Sequence, residues 1–200
     1  VVLVAPDWDV DGGSELIVLD SATGSLLSRA PFDDGLDDRV TGFDGFAASD
    51  EYLAAGGQQA QLIVLSPDGD EIVRGPMGLG APLGFLDDAL IVAKQSTVQA
   101  IDPASGAALW RSADFGQTEI SISNDTLWAL DGAVGSVSRL DPRTGSAMWT
   151  AGVGITPGFA VATADGVAYV ATALAVLAFD SETGEELWWK HIPYRSPFAG

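Results

Sequence analysis

The sequence predicts an all-β fold built from repeated units, and three observations lead there. An aspartate-centred pattern recurs at a fixed period, with Asp102, Asp141 and Asp180 each 39 residues from the next. Each anchor follows a short apolar, β-prone run and precedes a turn ending in Gly, then a second run ending in Trp. The composition, with 24 Gly and 10 Pro in 200 residues and no convincing amphipathic helical stretch, suits short strands joined by tight turns. A fixed period of this size marks a repeat architecture, in which each unit buries its apolar face only against a neighbour.

Each element has a local cause. The carboxylate of Asp20, Asp102, Asp141 or Asp180 can accept hydrogen bonds from backbone N–H groups just ahead, which starts a turn. Gly24, Gly106, Gly145 and Gly184 close those turns, because glycine takes positive φ without a steric penalty. Trp110, Trp149 and Trp188 return at a fixed place, as expected of residues packing on the next unit with the indole N–H on a buried carbonyl. Two weaker copies precede these. Residues 16–24 carry the strand and turn but have Ser28 where Trp is expected, and residues 62–69 use a shorter Pro-Asp-Gly turn. Further strands are expected at 1–5, 52–55, 89–93, 126–130, 158–163 and 167–171. The repeats are bounded approximately at 1–30, 31–75, 76–112, 113–151 and 152–191, within one domain over 1–200. About four short strands per repeat is the blade of a β-propeller.

Residues 178–188 spell Ala-x-Asp-x-x-Thr-Gly-x-x-x-Trp in full; residues 100–110 do so with Ser for Thr, and 139–149 with Arg for Ala. This pattern resembles the tryptophan-docking motif of pyrroloquinoline-quinone-type (PQQ-like) propeller repeats. The resemblance implies seven or eight blades. Five repeats fill these 200 residues, and both ends read as falling inside a repeat, so the chain is expected to be a portion of a larger propeller. It further implies a non-catalytic scaffold for protein or ligand binding, similar to PQQ-like repeat proteins of envelope assembly or sensing, placed outside the cytoplasm. The alternative is a divergent fragment of a quinone-dependent alcohol or sugar dehydrogenase. That family's vicinal disulfide and haem-attachment cysteines have no counterpart, since the chain contains no Cys. Its calcium-ligand Asn has only Asn124 as a candidate, and Asn124-Asp125 reads as an ordinary turn. The quinone is therefore not expected as a cofactor.

A formal net charge of −19, with Lys94 and Lys190 the only lysines, repels phosphate backbones and disfavours nucleic acid and anionic membrane surfaces. Solubility is the plainest reading of that charge. No apolar run reaches membrane-spanning length, so no direct insertion is expected within this segment.

One acidic motif stands out. Asp7, Asp9, Asp11 and Glu15 fall at positions 1, 3, 5 and 9 of a stretch with Gly12 at position 6. Hard Ca²⁺ takes six to eight oxygens, and alternating acids about a glycine turn can wrap it. Position 12 is Val18, which rules out an EF-hand; the stretch is similar to the short calcium hairpin of integrin-type propeller blades. The competing reading is an acidic hairpin whose Asp11-Gly12 merely makes the turn. A second acidic stretch, Asp33, Asp34, Asp37 and Asp38 followed by Asp44 and Asp50, matches no metal spacing and reads as a solvated loop. His191, the one histidine, lacks a companion nucleophile or ligand in sequence. Residues 75–84 are rich in Gly and Pro but lack the Lys-Ser/Thr ending of a phosphate loop. Trp8 and Trp189 fall outside the period, and exposure there would point to a partner surface.

Overall fold

The computed structural model describes residues 2–8, 14–20, 22–32, 45–57, 61–77, 79–94, 97–112, 118–154 and 160–192. These form nineteen strands in five antiparallel sheets. The first sheet is β1 (Val2–Trp8), β2 (Ser14–Asp20) and β3 (Leu26–Phe32), three strands among the described residues where the repeat leads one to expect four. The second is β4 (Gly45–Ala48), β5 (Leu53–Gly56), β6 (Gln61–Leu65) and β7 (Glu71–Met77). The third is β8 (Ala81–Leu86), β9 (Ala89–Lys94), β10 (Thr97–Ile101) and β11 (Ala108–Arg111). The fourth is β12 (Thr118–Ser123), β13 (Thr126–Asp131), β14 (Ser136–Leu140) and β15 (Ala147–Gly152). The fifth is β16 (Ala160–Ala164), β17 (Val167–Ala171), β18 (Ala175–Asp180) and β19 (Glu186–His191). Each four-stranded sheet is a meander in chain order. The strand expected at 126–130 is β13, and that expected at 158–163 begins at Ala160 as β16.

The chain divides into two compact units, Val1–Arg111 with the first three sheets and Ser112–Gly200 with the last two. In the first, Ala47, Ala54, Leu62, Val64, Leu90, Val92 and Ile101 form a buried cluster joining the second and third sheets. In the second, Trp128, Leu130, Val137, Ala168, Val170 and Phe179 join the fourth and fifth. Middle strands are covered on both faces, so β13 buries the run Leu127, Trp128, Ala129 and Leu130, whereas the outer strand β19 is exposed throughout. This burial explains why the middle strands read as continuous apolar runs rather than as an alternation.

Two devices set the register. Two-residue hairpins join the first and second strands of the last three sheets, closing the pairs Leu86↔Ala89, Ser123↔Thr126 and Ala164↔Val167. Both central residues are left-handed: φ is 46° and 63° at Asp87 and Asp88, 48° and 56° at Asn124 and Asp125, and 50° and 76° at Asp165 and Gly166. That is the type I′ geometry, whose twist suits hairpins and which Asn, Asp and Gly tolerate best. The second device is a bulge just before each repeat's turn. The register shifts at Val18/Leu19, Val64/Leu65, Ala100/Ile101, Arg139/Leu140 and Ala178/Phe179, the same place in all five sheets.

Candidate functional site

The repeat turn is built around its aspartate. Asp180 Oδ1 accepts the N–H groups of Glu182 at 3.0 Å and Thr183 at 2.8 Å and the Thr183 hydroxyl at 3.0 Å. Asp20 Oδ1 does the same with Ala22 at 2.9 Å, Thr23 N–H at 2.8 Å and the Thr23 hydroxyl at 3.0 Å. Asp102 receives the Ala104 N–H, and Asp141 the Arg143 N–H and Thr144 hydroxyl. The closing glycines Gly24, Gly106, Gly145 and Gly184 donate back to the aspartate carbonyls at 2.7 to 2.9 Å. At Asp20, Asp102 and Asp180 such bonds favour the ionised carboxylate. Backbone N–H groups, foremost those of Thr23, Ala104 and Thr183, hold Asp20, Asp102 and Asp180 below the ordinary aspartate range. Asp131 makes a related turn between β13 and β14, accepting the Ala133 and Val134 N–H groups while Gly135 donates to its carbonyl. That turn lies off the 39-residue period and lacks the Thr and Trp, so the pattern does not reveal it.

The turn of one repeat seats a side chain of the preceding one. Trp149 of β15 donates its indole N–H to the Ser181 carbonyl at 3.0 Å. Arg139 reaches the same oxygen at 2.9 Å and pairs with Glu182. The indole meets Trp128 edge-on at a centroid distance of 5.4 Å and Phe179 at 6.2 Å. Gly184 is required twice over. Its φ is +73°, and a Cβ there would lie 2.6 to 2.9 Å from three indole ring atoms. The same seat exists without tryptophan. Ser28 donates to the Gly69 carbonyl at 3.1 Å, and Val73 would meet a Cβ on Gly106 at 2.6 Å. Trp110 and Trp188 share the register position of these three residues, the pairs being Val18↔Ser28, Val64↔Val73, Ala100↔Trp110, Arg139↔Trp149 and Ala178↔Trp188. Trp110 is half-buried there. Trp188 is 46% exposed, with Tyr169 at 6.1 Å beside it.

The bulges have an outward consequence. In each sheet the residue skipped by the register is large and apolar, and it faces solvent: Leu27, Ile72, Leu109, Met148 and Leu187 are 39 to 56% exposed. The sequence carried that signal, an apolar residue immediately before every docking position, but β-propensity alone does not say that it points out. Trp189 is also exposed, as is His191 at the end of β19.

In the first unit, an open cavity of about 360 Å³ lies between the loop before β5 and the hairpin joining β8 and β9. Asp50, Glu51, Asp87 and Asp88 rim it, and the stacked rings of Tyr52 and Phe85, 6.1 Å apart, form its apolar side. Carboxylates around aromatic faces suit a cationic group. Of the calcium candidates, Asp7 and Glu15 are paired directly across β1 and β2. Asp9 and Asp11 lie outside the described residues, as do Asp33, Asp34, Asp37, Asp38 and Asp44. Among the described residues no three His, Asp or Glu side chains are gathered as a metal site, and no helix is long and apolar enough to cross a membrane.

Meandering four-stranded sheets joined by this docked turn are the blades of a β-propeller of PQQ-like repeats. The chain belongs to the family described as outer membrane protein assembly factor BamB, whose model matches residues 12–134 and 133–199. Its fold is similar to that of BamB from Moraxella catarrhalis, at 21% identity and a TM-score of 0.67 over 95% of this chain and 64% of that one. It is similar to the C-terminal WD40 domain of Sif2, at 12% identity and a TM-score of 0.64 over 94% of this chain and 58% of that one. A quinohemoprotein alcohol dehydrogenase from Pseudomonas putida HK5 is similar at 13% identity and a TM-score of 0.55, over 75% of this chain and 34% of that one. At these identities the likeness is one of fold. The chain spans 64% of the Moraxella protein and 58% of the Sif2 domain. No curated protein matches the chain in sequence.

Proposed function

We propose that this chain is a non-catalytic propeller scaffold that binds a protein partner in the cell envelope, outside the cytoplasm. The observation that carries the reading is an outward apolar residue at each bulge, Leu27, Ile72 and Leu109 in the first unit and Met148 and Leu187 in the second. Exposed apolar groups repeated at one structural position favour a contact surface. The family's description as an outer-membrane assembly factor supports the placement. The acidic, aromatic-sided cavity suits a lysine or arginine of that partner, by charge attraction and ring contact. The reading is tested by capturing envelope proteins of the source organism on the immobilised chain and on a variant with Leu109→Ser and Met148→Ser. An outer-membrane assembly component retained by the first and lost by the second supports the proposal. Equal retention by both, with unchanged fold, contradicts it.

The stretch of residues 7–15 is proposed as a Ca²⁺ site, with Asp7, Asp9, Asp11 and Glu15 supplying carboxylates. Its support is the acidic spacing and the cross-strand pairing of Asp7 with Glu15. The dehydrogenase reading rests on fold likeness alone, and fold does not carry chemistry.

A further inference from the structure

The contact between the fourth and fifth sheets is polar at both ends, and only one end is satisfied. Residues paired across antiparallel strands share a face, so Ser121, Trp128, Arg139 and Trp149 lie on one face of the fourth sheet. Thr163, Ala168 and Phe179 lie on one face of the fifth in the same way. Those two faces meet, since Trp128, Ala168 and Phe179 are buried in one cluster and the Trp149 and Phe179 rings are 6.2 Å apart. At the end near the Asp180 turn, the Trp149 indole N–H finds the Ser181 carbonyl. At the other end, formed by β12 and β16, the Trp128 indole N–H and the hydroxyl oxygens of Ser121 and Thr163 are buried. None of the three has a hydrogen-bond partner among the described residues.

The three groups are neighbours. Ser121 stands directly opposite Trp128. Ser123, two residues further along β12 on the same face, accepts the Thr163 N–H on its hydroxyl at 2.8 Å. Residues two apart on a strand are separated by roughly 6.8 Å. A water with hydrogen bonds of about 2.8 Å on each side spans about 5.6 Å. The corresponding contact between the second and third sheets has nothing to satisfy. There the matching row is Ala47, Ala54, Val64 and Val73, facing Phe85, Leu90 and Ile101, with no polar side-chain atom at any of the positions.

We infer that one internal water sits between the fourth and fifth sheets, accepting the Trp128 indole N–H and donating to Ser121 Oγ and Thr163 Oγ1. The donors and acceptors balance: the indole only donates, each hydroxyl oxygen accepts, and water supplies two hydrogens and a lone pair. Three partners is the usual number for a buried water, and a buried indole N–H without an acceptor is costly. All three groups are neutral, so the site selects water over an ion. The water then ties β12 to β16 as the Trp149 indole ties β15 to the Asp180 turn. This inference does not rest on the envelope-scaffold reading.

The test has two readouts on the full 200-residue chain. A crystal structure is expected to show one ordered water within hydrogen-bond distance of Trp128 Nε1, Ser121 Oγ and Thr163 Oγ1. A dry contact there, or the three groups bonded to one another, overturns the inference. Urea unfolding of Thr163→Val and of Ser121→Ala reads the same question in solution, since each change removes a hydroxyl and leaves the packing nearly intact. Each is expected to raise the unfolding equilibrium constant about fivefold, the factor one hydrogen bond supplies. Removing a hydroxyl that has no partner would instead leave stability unchanged or raise it, and that result for both variants overturns the inference. Circular dichroism confirms that each variant is folded, and the crystal structure of the unsubstituted chain serves if one is not.

Discussion

Replacing Trp149 by Ala tests whether one indole holds the fifth sheet to the fourth. Truncating a buried Trp costs about 3–5 kcal/mol, and Trp149 is half-buried, which places it near the lower end, at about 3 kcal/mol. Within that figure the two ring contacts, with Trp128 and Phe179, contribute about 0.5–1.5 kcal/mol each. The indole hydrogen bond contributes about 1 kcal/mol. The Ser181 carbonyl is not orphaned by the change, because Arg139 still donates to it. Trp149→Phe keeps the ring contacts and should cost about 1 kcal/mol, the hydrogen bond alone. The opposite side of the contact gives a control. Gly184→Ala places a Cβ within 2.6 Å of the indole at φ +73°, whereas Gly166→Ala at φ +76° meets nothing within 4 Å. Both changes carry backbone strain of about 1–2 kcal/mol, and only the first displaces the tryptophan. Urea unfolding followed by circular dichroism measures the shifts, and hydrogen exchange of amides in β14, β15 and β18 locates them. A loss below about 1 kcal/mol for Trp149→Ala, the range of exposed sites, refutes the docking argument. Equal losses for Gly184→Ala and Gly166→Ala refute it as well.

Other outcomes follow from single sites. Asp20, Asp102 and Asp180 are held below the ordinary 3.8 by N–H donors, so they bind fewer protons folded than unfolded in that range. Their contribution is complete above about pH 4 and is lost as pH falls through the lowered native values. Asp180→Asn, which still accepts hydrogen bonds, should therefore make stability fall less steeply with acid below pH 4, and an unchanged slope would show that the turn does not couple to pH. Asp125 sits at φ 56° in its hairpin, so Asp125→Val should lower stability by about 1–2 kcal/mol while Asp125→Gly does not. If the stretch of residues 7–15 binds calcium, Ca²⁺ raises the melting midpoint of chelator-treated protein, and Asp9→Ala abolishes the rise. A rise that survives Asp9→Ala places the ion elsewhere.

The repeat turns are legible in the sequence because they are local. Asp20, Asp102, Asp141 and Asp180 each find their partners within five residues, so a five-residue pattern is enough to place the turn. The docking position is less legible. Trp marks it three times, but Ser28 and Val73 occupy the same seat because the bulge, rather than the side chain, brings the strand against the next turn. Leu27, Ile72, Leu109, Met148 and Leu187 look like core residues, and only the bulge turns them outward. The cavity has no signal at all, because Tyr52 precedes β5 of the second sheet, Phe85 lies in β8 of the third, and the two share no period.

The proposed scaffold and a quinone enzyme differ in what stabilises the fold. A thermal melt of chelator-treated chain, repeated with Ca²⁺ and then with Ca²⁺ plus pyrroloquinoline quinone, separates the two. A ligand that binds only the folded state must raise the midpoint. For a scaffold, the quinone is expected to add nothing to the midpoint reached with Ca²⁺ alone. A further rise that requires the quinone would overturn the scaffold proposal.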